Sequence, residues 1–107
     1  MKIAVTYENG QVFQHFGHTE QFKIYEAAEG KVVSARVVET GGSGHGALAG
    51  FLRGLGVDTL ICGGIGGGAR SALAEAGIQL YPGASGSADA QVEALLDGSR
   101  ANGTNPL

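Results

Sequence analysis

The stretch GVDTLICGGIGGGARSALAEAGIQLY, residues 56–81, changes its hydrophobic period twice and so decides the fold. Val57 to Cys62 is a short, mostly apolar run bounded by glycines, the pattern of a strand buried on both faces. Ala69, Ala72, Leu73 and Ala76 then recur at i, i+3, i+4 and i+7, one stripe of a helix, and Gly77 is placed to stop it. IQLY at 78–81 is again a short strand. Strand, glycine loop, helix and strand make a parallel crossover unit, which is right-handed wherever it occurs in one sheet. The chain is therefore expected to be α/β.

Working outward, KIAVTY at 2–7 reads as a buried strand, followed by a long loop, ENGQVFQHFGHTE, at 8–20. QFKIYEA at 21–27 and the valine-rich KVVSARVVE at 31–39 are joined by Ala28, Glu29 and Gly30, a hairpin connection. After the loop TGGSGHG at 40–46, Leu48, Phe51, Leu52 and Leu55 mark a helix ending at Gly56. PGASGS at 82–87 leads to a third helix, with Ala88, Val92, Leu95 and Leu96 inward and Gly98 at its end. The order β-β-β-α-β-α-β-α predicts three helices on a mixed five-stranded sheet, order 3-2-1-4-5, with only strand 2 reversed. Residues 1–98 are expected to form one domain and residues 99–107 a disordered tail, because ANGTNPL carries no apolar pattern.

Composition narrows the function. Seven Lys and Arg against ten Asp and Glu, net charge −3, give no basic patch for nucleic acid and no attraction to an anionic membrane. No apolar run approaches the length of a bilayer span, and MKIAVTY lacks the shape of a signal peptide, so the expectation is cytoplasmic. The single cysteine, Cys62, excludes an internal disulfide and a Cys-x-x-Cys motif. Glycine is in excess, 20 of 107 residues where about 7% is usual, and it follows no collagen-like period. Its concentration in loops points to tight turns or to close approach of a ligand.

The expected topology gathers the loops 8–20, 40–46, 63–69 and 82–87 at one sheet edge, beyond the carboxyl ends of the strands, where open α/β sheets bind ligands. Those loops hold His15, His18 and His45, and Cys62 is the last residue of the strand beneath them. Three helix N-termini are expected to point there, and Arg70 adds a positive charge in the first turn of the second helix. The sum is a glycine-lined anion site fringed with metal ligands. Each part also has a plainer reading. A loop histidine such as His18 is commonly just solvated, His45 between two glycines can serve as a cap, and Cys62 can be an inert core residue. Arg70 can be an ordinary surface residue. His15 precedes Phe16, which can enter the core and fix the ring beside it.

Gly64-Ile65-Gly66-Gly67-Gly68-Ala69 also fits G-x-G-x-x-A, the dinucleotide fingerprint. It is not in the first βα unit, and the next strand ends in Tyr81-Pro82 with no acid for a ribose hydroxyl. There is no G-K-[ST] and no Cys-His-Asp arrangement or carboxylate pair, so the chain is not expected to be an enzyme.

His15-Phe16-Gly17, Phe22, Gly44-His45-Gly46 and GVDTLICGGIGGGA, taken together, resemble the dinitrogenase iron–molybdenum cofactor biosynthesis family, which includes NifX-like carriers and the C-terminal domain of NifB. The resemblance covers residues 1 to 98, and the C-G-G-I-G-G-G-A form is most similar to stand-alone members such as the molybdenum–copper orange protein. It implies a ribonuclease H-like three-layer fold that holds a metal–sulfur cluster, of molybdenum–copper sulfide or iron–molybdenum–sulfur type, or a thiomolybdate-type anion. Such a cluster can be lost on isolation. It makes His15 the candidate ligand, while His18 departs from the family pattern and either adds a contact or none. The full expected site is His15, Gly17, His18, His45, Gly64, Gly66, Gly67 and Arg70 around the cluster, with metal bonds from His15, His45, His18 or Cys62. A MinD/Mrp-type ATPase is the implied partner. The alternatives are a nucleotide- or anion-binding regulatory module acting through a partner, and an interaction domain that uses the outer strand 31–39.

Overall fold

The computed structural model describes residues 1–41 and 45–98, with the backbone alone at 45 and 46. The expected tail, 99–107, and Gly44 lie outside the described residues. The central strand β1 (Lys2–Glu8) follows from its apolar run: Ile3, Ala4, Val5 and Thr6 are each wholly buried. Side chains alternate across a strand, so Ala4 faces one core and Ile3 and Val5 the other.

On one side β1 pairs antiparallel with β3 (Gln21–Ala28), which pairs antiparallel with β4 (Lys31–Glu39). Glu29 and Gly30, with φ of 55° and 78°, form the tight turn between them. On the other side β1 pairs parallel with β5 (Thr59–Ile61), which pairs parallel with β6 (Gln79–Tyr81). The long path is β4-β3-β1-β5-β6. A sixth strand, β2 (Gln11–Val12), folds back on β1 off that path, through a turn at Asn9 and Gly10 with φ of 50° and 84°. This corrects the five-stranded expectation, which treated residues 8–20 as loop throughout. Asn-Gly is a strong short-range hairpin signal, because both residues accept the positive φ that the turn demands.

Helices α1 (His45–Gly54) and α2 (Gly67–Glu75) cover one face, burying Leu48, Leu52 and Leu73 against Ala4, Phe22, Ile24 and Leu60. Helix α3 (Ala88–Leu96) covers the other, setting Ala88 and Val92 against Ile3, Val5, Tyr25 and Ile61. The result is a three-layer α/β arrangement. Gly77 ends α2 with φ 78°; its N–H bonds Ala74 O at 3.0 Å and the Ile78 N–H bonds Leu73 O at 3.0 Å, which satisfies the last carbonyls. The first turn of α3 is fastened to β3 by Asp89, whose Oδ1 accepts from Tyr25 Oη at 2.5 Å and from Lys23 Nζ at 2.9 Å. Burial, and then the bond to Asp89, holds the Tyr25 phenol well above its ordinary range. The same two donors, Tyr25 first, hold the Asp89 carboxyl below its own. No helix among the described residues is long and apolar enough to cross a membrane.

Candidate functional site

The site begins with the end of β1. Thr6 is wholly buried and its hydroxyl needs a partner: Oγ1 donates to Phe13 O at 2.8 Å, while Phe13 N–H donates to Thr6 O at 2.9 Å. These bonds turn the chain after β2 back across the carboxyl end of β5. There Gly64 N–H donates to Gln14 O at 2.8 Å and Phe16 N–H donates to Gly64 O at 3.1 Å, a parallel bridge between His15 and Gly64. Gly83 N–H reaches Gly63 O at 3.0 Å, and Gln14 Nε2 reaches Ala84 O at 3.1 Å. Thr40 joins the far side by donating Oγ1 to Thr19 O at 3.2 Å. Backbone and side-chain hydrogen bonds thus tie residues 14–19, Thr40, Gly63, Gly64, Gly83 and Ala84, distant in sequence, into one rim.

Phe16 is the anchor. It is 2% exposed and packs 6.3 Å from Phe22, so the single 3-10 turn Phe16–His18 is held down at its start. The flanking residues are therefore turned outward: His15 and His18 are exposed, their ring centroids 6.4 Å apart and nearly perpendicular. Phe13 stands 6.2 Å from His15 on the other side. Gly17 lies in the turn between the two histidines.

Across the bridge, Gly64, Gly66 and Gly67 are exposed and α2 begins at Gly67. Gly66 is its N-cap and carries no side chain, so the first N–H groups of α2 receive no side-chain acceptor. Arg70 is exposed in that turn and forms no ion pair among the described residues. Partial positive charge from the helix end and a full charge from Arg70 therefore stand on the same side of the rim.

Two expected members lie apart from this group. Cys62 is wholly buried in the α1–α2 core, its Sγ 3.7 Å from Gly63 O, so the thiol lies beneath the rim and not on its surface. The backbone of His45 opens α1, but its side chain lies outside the described residues. Nor do three helix N-termini stay open, as the sequence reading expected. The start of α3 is occupied by the protein itself: Ser87 Oγ accepts from Ala90 N at 3.2 Å, and Ala88 N–H donates to Gly10 O at 3.0 Å.

The hairpin β1–β2 adds residues that the sequence reading left out of the site. A cavity of about 240 Å³ beside His18 is lined by Tyr7, Glu8, Phe13, Glu20 and Gln21, and one of about 220 Å³ beside His15 by Glu8, Gln11, Val12, Phe13 and Gln14. Glu8 and Phe13 line both. The signal for them was Asn9-Gly10, since the turn it makes is what brings Glu8 beside Gln11. Even so, among the described residues no three His, Cys, Asp or Glu side chains converge to hold a bare metal ion. The rim offers imidazoles, backbone N–H groups and one guanidinium, with the carboxylates of Glu8 and Glu20 lining the cavities beside the histidines.

A family profile described as dinitrogenase iron–molybdenum cofactor matches residues 1–98. The chain is 40% identical over 87 residues to the FeMo cofactor biosynthesis protein NifB of Sinorhizobium fredii, a match that takes in 74% of this chain and 18% of that protein. It is 32% identical over 103 residues to an uncharacterised protein of Methanocaldococcus jannaschii, covering 92% of this chain and 87% of the other. Among solved structures, the apo form of the orange protein from Desulfovibrio gigas superposes with a TM-score of 0.80 at 31% identity, over 91% of this chain and 88% of that one.

Proposed function

The chain belongs to the dinitrogenase iron–molybdenum cofactor family, and on that premise we propose that it is a non-catalytic carrier of an anionic metal–sulfur cluster or its precursor. The single observation that supports this most is the His15–Gly64 bridge, which seats two exposed imidazoles beside the uncapped N-terminus of α2. A sulfide-bridged anion of molybdenum with copper or iron brings its metal with it, so it needs few protein ligands and much positive potential. Here α2 and Arg70 supply the potential, His15 and His18 supply nitrogen donors, and the glycines let backbone N–H groups approach sulfide. His45 is carried in this reading as a third donor. Cys62 is left to the core by its burial.

The likeness to the orange protein supports the molybdenum–copper form, and the match to NifB supports an iron–molybdenum precursor. The chain spans 18% of NifB, and that span is read as a holding module. The same reading takes the fold as ribonuclease H-like, the protein as cytoplasmic, and a MinD/Mrp-type ATPase as its partner.

The test is anaerobic reconstitution with tetrathiomolybdate and Cu(I), and separately with iron, followed by absorption spectroscopy and metal analysis. Charge-transfer bands with stoichiometric metal are expected, and their loss on His15→Ala. Full binding by both His15→Ala and His45→Ala would remove the site assignment. A second reading, a nucleotide- or anion-binding regulatory module, rests on the same uncapped glycine loop before α2. Calorimetric titration with nucleotides separates the two, because the carrier reading expects no heat of binding.

A further inference from the structure

We propose that the free edge of β4 is a self-complementary surface on which a second copy of this chain pairs antiparallel, continuing the sheet across a twofold axis. The strand is the outermost of its sheet, and no described residue pairs with its far side. Nine residues at about 3.4 Å each make it roughly 30 Å long. That is nearly the full 32 Å length of the molecule, whereas the opposite edge strand, β6, has three residues. Edge strands are normally kept short or studded with charge, because unpaired N–H and C=O groups recruit other strands. This one carries Val32, Val33 and Val37 at 39%, 64% and 43% exposure, and eight of its nine residues are exposed.

The strand's sequence selects its own copy as occupant. KVVSARVVE starts with a cation and ends with an anion, with valine pairs on either side of Ser34-Ala35-Arg36. Antiparallel pairing about Ala35 sets Val33 of each copy against Val37 of the other, and Val32 against Val38. It also brings each Lys31 end alongside Glu39 of the other copy. Parallel pairing would instead place like charges together at both ends. Within one chain Lys31 and Glu39 stand about 27 Å apart along the strand and cannot pair. The antiparallel pairing is isologous and closes at two copies.

Sedimentation of the full chain across micromolar to millimolar concentration should show a monomer–dimer equilibrium. Val37→Lys should raise the dissociation constant at least about tenfold, the Coulomb and packing losses being counted twice by symmetry. Circular dichroism and a thermal melt verify that this exposed substitution leaves the monomer folded. Glu39→Lys should weaken the dimer and Lys31→Glu with Glu39→Lys should restore it. Ala35→Cys should cross-link to itself on oxidation, since the native Cys62 is wholly buried and does not compete. A wild type that stays monomeric throughout overturns the proposal. So does a dimer that Val37→Lys leaves intact, or one in which the charge exchange fails to rescue.

Discussion

The Cα of Gln14 lies 2.8 Å from the point where a side chain on Gly63 would begin, and the Gln14 side-chain oxygen lies at 2.6 Å. No real Cβ tolerates backbone that close, so Gly63 is glycine because of what crosses over it. Gly63→Ala is expected to prise the 13–16 segment from the end of β5 at a cost of about 1–3 kcal/mol. A domain of this size then melts roughly 4–8 °C lower per kcal/mol. Gly68→Ala is the control: nothing lies within 4 Å of its added Cβ and it sits inside α2, where alanine is the better helix former, so the melting temperature should hold or rise. Equal losses at the two positions would refute the close-approach account.

Gly66 offers a sharper experiment on the site. As the N-cap of α2, with φ −83° and ψ 166°, it has the backbone of a residue whose side chain could cap. Gly66→Asp should gain a few tenths of a kcal/mol in stability by supplying the missing acceptor. The same carboxylate fills the place and opposes the charge of an anionic cluster. Titration with tetrathiomolybdate should therefore weaken by about tenfold or more while the melting temperature holds or rises. An unchanged affinity would mean that the anion does not sit on the start of α2.

The two kinds of residue in that site were not equally legible in the sequence. His15 and His18 were, because a core aromatic between two polar residues forces its neighbours outward, as Phe16 does. The βα units were legible because period and glycine stops agree: Gly56 and Gly77 have φ of 79° and 78° at the helix ends. The β2 hairpin was written in Asn9-Gly10, but two residues of strand show no alternation to reinforce the signal. The closing of the α3 N-terminus was half legible. Ser87 is a readable cap, whereas the Gly10 carbonyl that meets Ala88 comes from a distant part of the chain. The edge position of β4 was legible from the topology, which put 31–39 outermost, but the exposure of its valines was not, since a valine-rich strand reads the same at an edge as in a core.

Tyr25 and Asp89 should give stability a pH profile with two shoulders. The carboxyl of Asp89 is held below its ordinary value, so its contribution is present above about pH 4 and fades as pH falls through the native value. The phenol of Tyr25 is held above its ordinary value, so its contribution is present below about pH 10 and fades as pH rises beyond. Tyr25→Phe should cost about 1–2 kcal/mol at neutral pH, by removing a buried donor to a charged acceptor. It should also flatten the alkaline shoulder. Asp89→Asn should differ from wild type most near pH 7 and converge with it in acid. Urea denaturation at several pH values measures both, and a gap independent of pH would show that the bonds to Asp89 do not matter.

Cys62 supplies the last test, because its burial separates two roles that its position in the sequence left open. A thiol that is wholly buried meets a reagent only when the structure opens. Its modification rate in the native protein should therefore be slow, rise with urea, and follow the free energy of unfolding. Cys62→Ala removes one sulfur from a packed core that includes Leu60 and Leu73, so it should cost about 1–2 kcal/mol. Metal content after anaerobic reconstitution should nonetheless match wild type, the donors being on the rim above. If Cys62→Ala folds but takes up no cluster, the thiol must turn toward the rim when cargo binds. The reading that leaves Cys62 to the core would then fall. A fast thiol reaction in the absence of denaturant would point the same way, by showing that the end of β5 opens on its own.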